Sequence, residues 1–168
     1  SVAEGKISMY GAATWNGFRA EPRAREYHSL ERMIELAREA AGGGRHHFRF
    51  IQLPINLAMP EALVAANQPL RGAQVSLLEA ARALEVTVVA SASLLQGRVA
   101  QGLPEHISEP LGSLATDALT AIQFVRSTPG VATALTGMSR RAHVDENLQL
   151  ARVEPAGAGD YQRLFAAE

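Results

Sequence analysis

The chain has 168 residues and a mass of 18.0 kDa, with 47% hydrophobic and 20% charged residues, which predicts a single globular domain over residues 1–168 and excludes a disordered polymer or a coiled coil. Sixteen Lys and Arg against seventeen Asp and Glu give a formal net charge of −1, so no overall basic field exists to hold nucleic acid. The absence of cysteine excludes disulfides, thiolate nucleophiles and Cys-ligated metals.

The sequence also carries no signal for a membrane or for export. No apolar run approaches the roughly 18 residues that a membrane span needs, and no basic segment precedes an apolar one near the start, so we expect an intracellular, cytoplasmic protein. The chain begins at Ser1 without an initiator Met and enters a strand-like segment within a few residues. This start predicts a piece of a longer protein.

Four short runs of apolar and β-branched residues are candidate strands. Their centres are nearly continuous in apolar residues, which is typical of parallel strands covered on both faces. They are Lys6–Ala13, Phe48–Leu53, Val86–Ser91 and Val131–Thr136.

Helical periodicity separates these strands. Apolar residues recur at helical spacing over 30–37, 77–84 and 114–125, and Ser113 stands where a cap of the third helix would lie. A fourth helix is predicted over about 140–150, and a short amphipathic tail lies within 155–168. The residues expected to turn inward there are Val144, Leu148 and Ala151 in the helix and Tyr161, Leu164 and Phe165 in the tail.

The predicted order is therefore a strand followed by a helix, four times. The strands begin roughly 40 residues apart, and alternating units of this kind build either an open doubly wound sheet or a (β/α)8 barrel. Because a whole barrel takes about 250 residues, four units would make half of one. Composition does not separate the two folds.

The segment 131–147 is the most informative stretch for function. It runs from a strand through Gly137 into a predicted helix start, with Ser139 as a candidate cap and Arg140 and Arg141 side by side. Amides of a first helical turn and two guanidinium groups together suit a phosphate. An ordinary capped helix with exposed arginines remains the alternative.

Other candidates are less specific. Gln52 is a polar residue in an apolar strand and can read a carboxamide or a sugar, or be satisfied by backbone. The small residues of 90–97 would let a ligand approach the backbone, or ease helix packing. Trp15 is either a stacking platform or a lid on the core. The histidines show no repeated ligand spacing, so no metal site is expected.

Several of these segments together resemble the C-terminal half of the aldo/keto reductase family, over about residues 5–155. The resemblance rests on Gly5-Lys6-Ile7 leading to Tyr10-Gly11-Ala12-Ala13-Thr14-Trp15, on Phe50-Ile51-Gln52-Leu53-Pro54, on Val88-Val89-Ala90-Ser91 with Leu94 and Gly97, and on Thr128-Pro129-Gly130, Gly137-Met138-Ser139 and Glu146-Asn147. It implies four units of a (β/α)8 TIM barrel and NADP(H) as the cofactor.

The resemblance also implies roles for single residues. Gln52 would hold the nicotinamide carboxamide, and Ser91 stands where the family has the aromatic that stacks on nicotinamide. The usual Ser-Asn pair is replaced by Ala13-Thr14. The residues implied at the adenosine 2′-phosphate and adenine are Gly137, Ser139, Arg140, His143, Glu146 and Asn147.

The family's catalytic Asp, Tyr, Lys and His belong to its first four βα units, so no catalytic residue is assigned in this chain. The resemblance implies part of an NADPH-dependent oxidoreductase acting on a small carbonyl substrate, with the fragment alone inactive. The alternative is a non-catalytic nucleotide-binding or oligomerising half-barrel. Because halving a barrel leaves two open strand edges and an uncovered apolar face, we expect a homo-oligomer or association with the missing half.

Overall fold

A computed structural model describes residues 1–165, and within that range the predicted alternation of strands and helices is confirmed. The first half contains β1 (Tyr10–Ala13), α1 (Leu30–Ala40), β2 (Phe48–Pro54), α2 (Glu61–Val64), β3 (Gln68–Leu70), β4 (Ala73–Val75) and α3 (Leu77–Ala83). The second half contains β5 (Thr87–Ser91), α4 (Glu105–Ser108), α5 (Asp117–Ser127), β6 (Val131–Ala134), α6 (Arg141–Asn147) and α7 (Ala158–Arg163).

The four predicted strands form one parallel sheet in the order β1-β2-β5-β6. Strand β1 pairs with β2 in parallel, with Ala12 opposite Ile51 and Ala13 opposite Gln52. The predicted cover on both faces is not found, because side chains of β5 alternate between buried and half-buried positions and three residues of β2 are not buried. Phe50 in β2, for example, remains 37% exposed.

The chain divides into two compact units. The first comprises 1–53 and 60–89, and the second comprises 54–59 and the chain from 90 onward. The core of the first unit contains Phe18, Leu30, Ile34, Ile51, Leu53 and Leu77, each at most 1% exposed. In the second unit Leu119, Ile122 and Leu150 form a buried cluster.

Two of the predicted helix details are wrong. Ser113 does not cap α5, since its φ is +45°; the cap is Thr116, whose hydroxyl accepts from the amide of Leu119. The helix predicted over 140–150 changes to a tighter 3-10 turn after Asn147. That change of pitch exposes Leu148 and Ala151 and buries Leu150 in their place.

Of the tail residues expected to turn inward, Tyr161 does so and Phe165 does not. Tyr161 is 2% exposed and stacks on Phe124 of α5, whereas Phe165 is 45% exposed. Residues 166–168 of the predicted tail lie outside the described residues. No helix within 1–165 is long and apolar enough to cross a membrane.

Four short elements were not predicted: the strands β3 and β4 and the helices α2 and α4. Strands β3 and β4 form an antiparallel hairpin through Arg71 and Gly72, which both have positive φ (+51° and +87°). Two consecutive residues in this region are typical of a tight hairpin turn. The amide of Arg71 donates to the Glu31 carboxylate of α1, which supplies a long-range partner for the turn.

Candidate functional site

A cleft of about 520 Å³ lies in the second unit between the segments 92–97 and 135–139. Its volume is within the range of roughly 300–1,000 Å³ that is common for small-molecule sites. Three of the predicted site residues line it together: Gly137, Ser139 and His143. The cleft therefore brings the phosphate-binding candidates next to the small-residue segment that follows β5.

The chain enters this cleft directly from the end of β6. The amide of Leu135 donates to the carbonyl of Ala90, which continues the pairing with β5 by one residue. At Gly137 an added Cβ would meet no atom within 4 Å, and its φ is not positive. The fold itself does not require glycine at this position, so the open space beside the backbone is available to a ligand.

The predicted cap at Ser139 is wrong. The residue before α6 is Arg140, in extended conformation and without a side-chain cap bond, and Ser139 lies one position earlier, on the cleft wall. Since α6 has only seven residues, any anion binding here depends on side chains and loop amides rather than on a helix dipole.

The two adjacent arginines differ in their surroundings. Arg141 contacts the carboxylate of Asp145 at 3.5 Å, with its side chain 94% exposed. Arg140 makes no side-chain hydrogen bond or ion pair to any residue of 1–165. Arg140 is therefore the guanidinium group that is available to an incoming anion, although it is not itself part of the cleft wall.

Glu146 and Asn147 are placed differently from the other candidates. The Glu146 carboxylate accepts a hydrogen bond of 2.7 Å from the hydroxyl of Thr116, the cap of α5. Asn147 lines a second cleft of about 470 Å³, which shares Thr136 and Met138 with the first. Glu146 thus has a structural partner already, and Asn147 lines a different cleft from Gly137.

Gln52 lies in the first unit, where it lines a shallow pocket of about 210 Å³ with Ala13 and Phe50. Its backbone carbonyl accepts from the amide of Thr14 at 2.9 Å, whereas its side-chain amide has no partner within the described residues. The amide is therefore free to bind a ligand.

Ser91 lies at the end of β5 in the second unit, partly buried. Its carbonyl accepts from the amide of Ile55 at 3.2 Å. Its hydroxyl makes no hydrogen bond among the residues that the structure describes. A serine here supplies a small polar group and no stacking surface.

The structure also gives the exposure of Trp15 and of His46. Trp15 is 54% exposed, so it is not a lid on the core. His46 is 9% exposed, and burial, followed by the charges of Arg49 and Arg38, lowers its pKa below the usual range. Within 1–165 no three potential metal ligands come together.

Sequence reasoning missed Asn56 and the unusual backbone of 92–97. Asn56 is fully buried, and its side chain bonds to the carbonyl of Ala92 on the cleft wall. Only a partial signal for Asn56 is present in the sequence, where it is a polar residue that follows Pro54 and Ile55 at the end of a predicted strand. Its partner, 36 residues away, was not evident from the sequence.

Searches with protein-family models and among curated proteins found no match. Solved structures do match. An aldo/keto reductase from Klebsiella pneumoniae in complex with NADP and acetate is 24% identical, with a TM-score of 0.64 over 97% of this chain and 49% of that one. An aldo-keto reductase from Bacillus halodurans in its holo form is 17% identical, with a TM-score of 0.62 over 98% of this chain and 51% of that one.

A further structure, of an aldo-keto reductase from Klebsiella pneumoniae in complex with NADPH, is 23% identical, with a TM-score of 0.63 over 96% of this chain and 49% of that one. The chain thus spans about half the length of the solved structures that it matches. These likenesses extend over nearly all of the chain and resolve the choice between an open sheet and a barrel. This chain has the fold of half of an aldo/keto reductase (β/α)8 barrel.

Proposed function

We propose that this chain is the cofactor-holding, C-terminal half of an NADPH-dependent aldo/keto oxidoreductase that acts on a small carbonyl substrate in the cytoplasm. The observation that carries the proposal is the 520 Å³ cleft, where Gly137, Ser139 and His143 face the segment 92–97. When bound, NADPH supplies the hydride for carbonyl reduction. The named aldo-keto reductases with NADP or NADPH support this choice of cofactor.

The residues of the cleft fit the phosphate end of such a cofactor. Gly137 leaves open space beside the backbone, and Ser139 and His143 bring polar groups to the wall. Arg140, which has no ion-pair partner within 1–165, would supply the charge for a 2′-phosphate. Glu146 and Asn147 remain the candidates for adenine, with Glu146 having to share its carboxylate with Thr116.

The residues proposed for the nicotinamide end are Gln52 and Ser91. The free side-chain amide of Gln52 can both donate to and accept from a carboxamide. Ser91, in place of an aromatic residue, would leave the ring without a stacking partner from that position. We therefore expect tighter recognition of the adenosine part of the cofactor than of the nicotinamide.

Calorimetric titration with NADP⁺ and with NAD⁺ tests this proposal. We expect NADP⁺ to bind more tightly, and Arg140→Ala to weaken NADP⁺ binding by about 5- to 150-fold, the ratio for roughly 1–3 kcal/mol from a charged hydrogen bond, while leaving NAD⁺ binding unchanged. The matched control is Arg141→Ala, because Arg141 already contacts Asp145. An equal effect of both substitutions, or no binding of either nucleotide by the wild type, would contradict the proposal.

A second candidate function is a nucleotide-binding or oligomerising half-barrel without chemistry. The replacement residues Ala13, Thr14 and Ser91 favour it, since they remove groups that hold the nicotinamide in the family that the chain resembles. An NADPH oxidation assay with aldehydes separates the two on the whole parent protein. Turnover by the parent, with none by this chain alone, favours the oxidoreductase; binding without turnover by the parent favours the module.

A further inference from the structure

The wall of the cleft formed by 92–97 has an unusual backbone. Ala92, Leu95 and Gln96 have φ values of +53°, +44° and +56°, and Gly97 has +85°. Side chains other than glycine rarely adopt this left-handed region, because the Cβ crowds the carbonyl. Such a conformation persists only where surrounding contacts impose it, and it is frequent at ligand sites.

Asn56 supplies the first of these contacts. It is 0% exposed, and its Nδ2 donates to the carbonyl of Ala92 at 3.0 Å while its Oδ1 accepts from the amide of Ala58 at 2.9 Å. The second bond orients the side-chain amide, so the donor faces Ala92 and the acceptor faces away. The neighbouring Ile55 amide donates to Ser91, which fixes the same two segments through the backbone.

Ser93 supplies the second contact, toward the opposite wall. It is 1% exposed, and its Oγ donates to the carbonyl of Leu135 at 2.9 Å. Leu135 in turn donates through its amide to Ala90. Ser93 therefore links the segment 92–97 to the chain that carries Gly137 and Ser139 along the other side of the cleft.

We propose that Asn56 and Ser93 are a pair of positioning residues that hold the segment 92–97 in its left-handed form and so set the width of the cleft. Neither side chain lines the pocket as a charged or reactive group; each acts through the backbone that it holds. The consequence for nucleotide binding rests on the proposed function, whereas the effect on the backbone does not.

The isosteric substitution Asn56→Asp tests the donor directly. At neutral pH a carboxylate has no hydrogen to donate and would face the Ala92 carbonyl, so the segment should loosen. We expect the amides of Leu95 and Gly97, each in a 2.8 Å turn hydrogen bond, to exchange with deuterium about tenfold faster. NADP⁺ should bind about tenfold more weakly.

The pH dependence tests whether a missing donor causes the effect. Burial raises the pKa of the new carboxyl, and its protonated form can donate to Ala92 while its other oxygen accepts from Ala58. The excess exchange of the Asn56→Asp variant, corrected for the intrinsic rate, should therefore fall as the pH is lowered from 8 to 5. Ser93→Ala should show faster exchange at both pH values.

The control is Asn67→Asp, since Asn67 is another buried asparagine, which donates to the carbonyls of Phe18 and Ala20 in the first unit. It should lower the melting temperature without changing exchange at Leu95 and Gly97. Unchanged exchange at those amides in both Asn56→Asp and Ser93→Ala, or an equal change in the control, overturns the inference. If wild type binds no NADP⁺, the proposed function fails and the exchange data still decide the role of the pair.

Discussion

At the scale of single residues, buried polar side chains fix many of the loops. Gln68 is fully buried and donates to the carbonyls of Phe18 and His28 while accepting from the amide of Leu30. Most ion pairs, by contrast, are exposed and contribute little. The exception is Arg19, whose side chain is 11% exposed and forms two hydrogen bonds with Glu61. Stability of the loops therefore depends mainly on satisfied buried groups.

Tyr161 gives a prediction that depends on pH. Burial raises its pKa to about 12, against a smaller opposing effect of the hydrogen bond with Thr128. The Thr128 hydroxyl donates to Phe124, so the Tyr161 hydroxyl donates to Thr128. Because the folded protein disfavours the phenolate, this contribution to stability is complete below pH 10 and is lost as pH rises toward 12.

Urea unfolding at pH 8, 10 and 11.5 measures this effect. From pH 8 to pH 11.5 the free energy of unfolding should fall by on the order of 2 kcal/mol more in the wild type than in Tyr161→Phe. Tyr27, whose pKa is also raised by burial, is present in both proteins and cancels in the comparison. Parallel loss of stability in the two proteins would mean that Tyr161 ionises as readily in the folded chain as in the unfolded one.

Gly11 gives a prediction about strand contact. An added Cβ would overlap the backbone carbonyl of Phe50 on the neighbouring strand, where the register of β1 and β2 shifts. Although Gly11 is exposed, the atoms that its Cβ would meet are backbone and cannot swing away, so we expect Gly11→Ala to destabilise the protein by about 1–3 kcal/mol, the range for overpacking. Gly137→Ala is the control and should leave the thermal midpoint unchanged, because its Cβ meets nothing within 4 Å.

At the level of elements, the longer helices were predictable because the burial of their side chains follows the helical period. Leu30, Ile34 and Ala37 form the buried face of α1, as their spacing indicates. The hairpin of β3 and β4 was not predictable, because three-residue strands are too short to show an alternation of polar and apolar residues. Its turn also depends on a contact with Glu31. The predicted cap at Ser113 failed for a related reason: any hydroxyl before a helix is a candidate, and tertiary contacts select Thr116.

Thr116 connects helices α5 and α6 through its hydroxyl group. Its hydroxyl accepts from Leu119 at the start of α5 and donates to Glu146 of α6. Thr116→Ala should cost about 1 kcal/mol, with a range of 0.5–2, as is usual for a lost helix cap. Thr116→Ser keeps the hydroxyl and should retain most of that stability in chemical denaturation. Equal losses in the two variants would assign the effect to the methyl group instead.

The candidate site shows the same division between what the sequence predicts and what it does not. The strand-to-helix turn predicted Gly137 and Ser139, the family resemblance implied His143, and all three line one cleft. The opposite wall takes its form from Asn56 and Ser93, whose partners are 36 and 42 residues away. Contacts of that range follow from packing of the whole unit and leave no local pattern.

At the level of the whole molecule, β1 and β6 are the edge strands of the sheet over residues 1–165, each paired on one side. Large apolar side chains are exposed in both units: Ile7, Met9 and Tyr10 are 39–48% exposed in the first, and Leu135, Met138 and Leu148 are 44–59% exposed in the second. Open edges and exposed apolar groups favour association with another chain.

We therefore expect this chain to self-associate, with a mass by light scattering at micromolar concentration that is at least twice 18.0 kDa. Ala132→Lys, on the exposed edge strand β6, and Met9→Lys, before β1, should each reduce the measured mass, because a charge opposes burial of these surfaces. Leu36→Lys is the control, since Leu36 is 47% exposed and belongs to helix α1 rather than to an edge strand. A single species of 18.0 kDa for the wild type would contradict self-association, and an equal effect of the control would show that the association is not specific to the open sheet.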